Sequence, residues 1–118
     1  MTAREATNAY QYRWQREAVS ALTTMLAHGA RERLPALSWI IATTGALVGD
    51  AHGLASTPVE QRAAFDAWAD YLGARRWPER TDADGATHLH AQFTWHQDDR
   101  VKGAVRAVIW PTDGDAHH

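Results

Sequence analysis

The densest set of chemically capable side chains in the sequence lies between positions 87 and 110: His88, His90, Gln92, His96, Lys102 and Arg106. His88 and His90 are two residues apart. On a β-strand that spacing sets two imidazoles on one face, about 7 Å apart, a separation metal sites use. A metal needs three converging donors and groups that orient them. His96 is the third candidate within the segment, and Asp50 or His52 is one if their strand lies alongside. The same residues also suit an ordinary solvated sheet face, a polar binding contact or a pH-sensitive group. Two histidines without a placed third donor do not specify a metal.

Other clusters are weaker. Asp66 and Asp70 stand at helical i, i+4 spacing and could do acid–base work. Arg62 precedes Asp66 by four, which fits an exposed charged face equally well. Arg75-Arg76-Trp77 pairs cations with a flat ring, as a phosphate or base site does. Two arginines just past a helix end also suit its dipole. Tyr10, Tyr12, Arg13 and Trp14 crowd aromatics and arginine near the start of a helix, a composition typical of interface anchors. No glycine-rich phosphate loop follows a strand, and no Gly-x-Ser-x-Gly is present. With no cysteine either, nucleophilic catalysis has no support.

These residues must be held by recognisable elements. Apolar residues alternate through Thr87–Trp110 on either side of a polar turn, which predicts a β-hairpin with one buried face. Burying Leu89, Ala91, Phe93 and Trp95 requires apolar partners. Pairing Trp95 with Val101 sets Phe93 against Gly103, Ala91 against Val105 and Leu89 against Ala107. A slip of one residue would bury Lys102 and Arg106. The loop is then odd in length, with Gln97-Asp98-Asp99 expected. The opposite face gathers His88, His90, Gln92, Thr94, Lys102 and Arg106, with Trp110 at its end.

Upstream, residues 4–28 read as a helix ended by Gly29. Its apolar stripe runs through Trp14, Ala18, Ala21, Leu22 and Met25, and Tyr12 lies off it. Residues 37–52 predict a first hairpin turning at Thr43-Thr44-Gly45, its first strand central because both faces are apolar. Thr57-Pro58-Val59-Glu60 is a capping box with proline at N1. It opens a helix carrying Phe65, Trp68, Ala69 and Leu72, which Gly73 closes. Residues 75–81 suggest a short strand that Pro78 confines to an edge, and Asp84-Gly85 is a turn. The expected fold is α+β: an antiparallel sheet of four or five strands with two helices packed on one face, in the order α-β-β-α-(β)-β-β. The Trp14 and Trp68 stripes are expected to meet Trp39, Phe93 and Trp95. Residues 1–111 form one domain in this reading, and 112–118 a disordered tail.

Composition narrows the functions. With 118 residues, 45% apolar and 22% charged, the chain suits one globular domain. A net charge of −2 gives no broad basic field, which disfavours nucleic acid. No apolar run reaches the roughly 20 residues of a membrane span. The start lacks the apolar core of a secretory signal, and cysteine is absent, so a cytoplasmic location is expected. Arginine outnumbers lysine eleven to one, a mark of a GC-rich genome.

Three segments, Leu37-Ser38-Trp39-Ile40-Ile41, Thr44-Gly45-Ala46-Leu47-Val48-Gly49 and Phe65-Asp66-Ala67-Trp68-Ala69-Asp70-Tyr71-Leu72-Gly73, resemble small uncharacterised actinobacterial α+β proteins. The resemblance implies a shared fold and carries no activity. Three functions remain. First is a non-catalytic interaction or regulatory module, self-associating as a homodimer or bound to a protein partner, with no cofactor. Its contact set is Tyr12, Arg76, Trp77, His88, His90, Gln92, Arg106 and Trp110. Second is a small-ligand binder with a Trp-lined cleft between helices and sheet. Third is a metal-dependent enzyme using His88 and His90. The first leads because it needs no residue the sequence lacks.

Overall fold

The computed structural model describes residues 2–52 and 56–111. Helix α1 spans Ala3–Arg31 and opens on a capping box between Thr2 and Glu5. It runs on past Gly29, which the sequence marks as a stop. A Cβ at Gly29 would stand 2.9 Å from the Trp68 ring. The glycine therefore admits an indole against the helix, and the positive φ of 58° falls on Arg33. Strands β1 (Ser38–Ile41) and β2 (Leu47–Asp50) form the first hairpin. Its turn needs Gly45, at φ 82° and pressed on the Trp14 backbone.

Helix α2 (Pro58–Leu72) begins with Thr57 Oγ1 accepting from the Glu60 N–H, and ends at left-handed Gly73, as the sequence signals. The stretch after it is not one edge strand but two short ones, β3 (Arg75–Arg76) and β4 (Arg80–Thr81), with Pro78 between them. The long hairpin is β5 (Thr87–Thr94) and β6 (Lys102–Ile109). Six strands result, rather than four or five, in the order β1-β2-β6-β5-β3, with β4 also on β5.

Leu89 faces Ala107, Ala91 faces Val105 and Phe93 faces Gly103, the register that burial demands. The Trp95 N–H donates to the Val101 carbonyl, but the loop between them holds five residues rather than ending at Gln97–Asp99. Asp98 closes it, accepting from the backbone and guanidinium of Arg100.

Two expectations about the sheet are corrected. β1 is an edge strand, not a central one, and its Ile40 is 53% exposed on the open face. β2 joins β6 in parallel, so the otherwise antiparallel sheet is mixed. The crossover through α2 that follows β2 allows this pairing.

The core lies on one side of the sheet. Leu47, Leu89, Ala91, Phe93, Trp95, Val101 and Val105 share a single cluster with Ala18 and Met25 of α1 and Phe65, Trp68 and Leu72 of α2. Trp68 meets Trp39 edge-on at 5.4 Å and Tyr71 at 5.6 Å. Trp14 does not join them. It is 40% exposed and stacks on Tyr10. The reason is length: 29 helical residues span about 43 Å, whereas eight-residue strands span about 26 Å. The first turns of α1 outrun the sheet, and no described residue before Ala18 is buried.

Gln61 is the one buried polar side chain among the described residues. Its Nε2 donates to Ala51 O at 2.7 Å and Val108 O at 2.8 Å, tying α2 to the ends of β2 and β6.

Candidate functional site

The even-numbered residues of β1, β2, β4, β5 and β6, with Arg75 of β3, form the sheet's other face, which no helix covers among the described residues. The register arranges this face in rows. One row runs Ser38, Asp50, Arg106, His90; the next runs Val108, His88, Arg80. Arg106 Nε donates to Asp50 Oδ2 at 3.1 Å. His88 Nε2 lies 2.8 Å from Asp82 Oδ2. Asp82 also accepts from the N–H groups of Asp84 and Ala86, shaping the turn into β5. The His88 hydrogen bond, followed by these backbone donors, holds the Asp82 carboxyl below its usual range.

Trp77 stands at the margin. Its N–H donates to the His90 carbonyl at 2.8 Å, and its ring lies 4.5 Å from the His90 ring. Burial, and then the positive charge of Arg106, push the His90 pKa below its ordinary value. Both effects favour the neutral ring. Between Trp77, Arg80, His88, His90, Arg106 and Val108 lies an open basin of about 370 Å³.

Other sequence candidates fall elsewhere. Arg76 turns toward α2, where its guanidinium bridges Asp66 and Asp70 and sits 5.7 Å over the Phe65 ring. The carboxylate pair is thus an ion-pair partner, and the Arg75-Arg76-Trp77 cluster is divided between two faces. Gln92 is exposed beside Ala104 on the open face, and Trp110 is exposed past the end of β6. His96 follows β5, about 26 Å along the strand from His88. Asp50 is two strands from His90, with Arg106 between them. Among the described residues, no three His, Cys, Asp or Glu side chains converge as a metal site. Arg80 was missed by the sequence reading. Its signal was the Asp84-Gly85 turn, since a hairpin folded there sets residue 80 against 88.

Tyr12 lies on a second open surface. Tyr12, Val19 and Leu26 are 68%, 47% and 47% exposed. Seven residues make nearly two helical turns, so these three stack along one line of α1. That line is roughly a third of a turn from the buried line of Ala18, Met25 and Gly29. A cleft of about 390 Å³ separates α1 from the two hairpin turns, lined by Trp14, Arg13, Glu17, Gly45 and Arg100 among others. Elsewhere the tryptophans between helices and sheet fill the core.

No helix among the described residues is long and apolar enough to cross a membrane. Comparison with protein-family models, with curated proteins and with solved structures gives no match for this chain.

Proposed function

We propose that the protein is a non-catalytic interaction module that self-associates through the outward line of α1. The observation that carries this is the exposure of Tyr12, Val19 and Leu26 at seven-residue intervals on a helix longer than its sheet. The occupant that fits is a second copy of α1, antiparallel and related by a two-fold axis at Val19. Tyr12 and Leu26 are equidistant from Val19, so each Tyr12 meets Leu26 of the other copy, as an isologous contact requires. Arg16 falls beside Thr23, and its long stem lets the guanidinium reach water.

Light scattering coupled to size exclusion tests this. The expected mass is twice 13.1 kDa, falling to one copy in Val19→Arg with the helical circular dichroism retained. A wild-type chain that stays a monomer at high concentration, or a dimer untouched by Val19→Arg and Tyr12→Ala, refutes the proposal.

A further inference from the structure

The basin on the open sheet face is independent of the α1 surface and has its own chemistry. None of its lining residues is a carboxylate, while two are arginines. Arg106 spends only its Nε on Asp50, so both terminal amino groups are without a partner among the described residues. The pairing holds the guanidinium in place over the sheet without consuming it. Arg80 has no ion pair among the described residues and stands opposite His88 on the same face. Two strand spacings and one row separate Arg80 from Arg106, about 12 Å between backbones. Arg80 and the Asp50-held Arg106 both line the basin, from opposite sides of β5. Trp77, held by its backbone bond to His90, offers a flat wall at the side, and His90 and Val108 lie on the basin's sheet surface.

We propose that this basin binds a small anion carrying a flat ring, with its carboxylate or phosphate between Arg80 and Arg106 and its ring against Trp77. Each element has a separate reason. Guanidinium forks match carboxylate and phosphate oxygens in pairs. The tryptophan face accepts any flat ring by stacking. The volume of about 370 Å³ is in the range of small-molecule sites. A bulkier polyanion such as nucleic acid is disfavoured by the net charge of −2.

Calorimetry and tryptophan fluorescence with 1-naphthoate and with AMP test the proposal and separate carboxylate from phosphate. Adenosine and inorganic phosphate are the controls lacking one half of the chemistry. The expected result is saturable binding of at least one ring-bearing anion, at least about tenfold tighter than either control, since a charge-assisted contact contributes that much or more. Arg80→Ala should weaken it about tenfold, and Trp77→Leu should weaken it while removing most of the quenching. Both positions are exposed, so thermal unfolding should stay unchanged in both variants. No saturable binding of either anion below about 1 mM, or a dissociation constant indifferent to Arg80→Ala and Trp77→Leu, overturns the assignment.

Discussion

Gly103→Ala should be among the most damaging single-methyl substitutions in this protein. A Cβ there would stand 2.0 Å from the Leu47 carbonyl oxygen and 2.9 Å from the tip of Phe93. The Phe93 ring can swing, but the Leu47 oxygen belongs to a fully buried residue of the neighbouring parallel strand. Carbon and oxygen ordinarily approach to about 3.3 Å, so β2 or β6 must retreat by more than about 1 Å. That stretches the adjoining backbone hydrogen bonds past useful length. Overpacking costs about 1–3 kcal/mol, and a stranded buried backbone group about 1–3 more. The stiffer unfolded chain of alanine returns only about 0.4–1 kcal/mol. A net loss of about 1–5 kcal/mol follows from these ranges. For 118 residues the unfolding entropy is about 0.25 kcal/mol/K, so Tm should drop by roughly 4–20 °C. Gly49→Ala is the control: its Cβ would meet the ends of Trp39 and Leu37, side chains that can yield. Thermal and urea unfolding followed by circular dichroism read both. If Gly103→Ala unfolds at or above the wild-type temperature, or costs no more than Gly49→Ala, the close approach of β2 and β6 is refuted.

Gln61→Leu removes the donor shared by the Ala51 and Val108 carbonyls and should cost about 2–3 kcal/mol in urea unfolding; a change under about 0.5 kcal/mol would show those carbonyls are satisfied otherwise. His90 gives the chain a pH dependence of known sign. Burial and Arg106 lower its pKa in the fold, with Arg80, His88, Lys102, Arg75 and, beyond Arg106, Asp50 also charged or titratable on that face. The unfolded chain takes up the proton more readily, so stability is full above the unfolded value near 6.5 and declines as pH falls through it. His90→Gln should flatten that decline, and an unchanged slope between about pH 7.5 and 5 would refute the assignment.

What could be read from the sequence was what depends on neighbours in the chain. The Thr57–Glu60 box needs only four residues, and the Phe93–Gly103 register needs only a hairpin and one buried face. The errors arose where a residue answers to a distant one. Gly29 has the position of a helix stop, yet its missing Cβ serves Trp68, thirty-nine positions on. Trp14 belongs to the apolar stripe, but the stripe cannot reveal that the helix outruns the sheet. β1 is apolar on both faces without being central, because Ile40 faces the open side.

The same distinction governs the site. His88 and His90 share a face by strand period alone, so their placement was legible. What surrounds them was not, because it depends on the parallel β2–β6 pair. That pair brings Asp50 beside Arg106 and fixes a guanidinium next to His90. With it, the centre of the open face is a paired arginine beside an imidazole, rather than two imidazoles awaiting a third. The break at Pro78 then does two things at once. It ends β3 just after Arg76, which already faces the α2 carboxylates through its register with Ala91, and it leaves Trp77 and Arg80 on either side of the basin. The cationic, ring-lined character sought in Arg75-Arg76-Trp77 thus exists in the fold, assembled from Trp77 in the β3–β4 link, Arg80 on β4 and Arg106 on β6. The anion recognition proposed there rests on free guanidinium N–H groups, which hold oxygens and cannot ligate a cation.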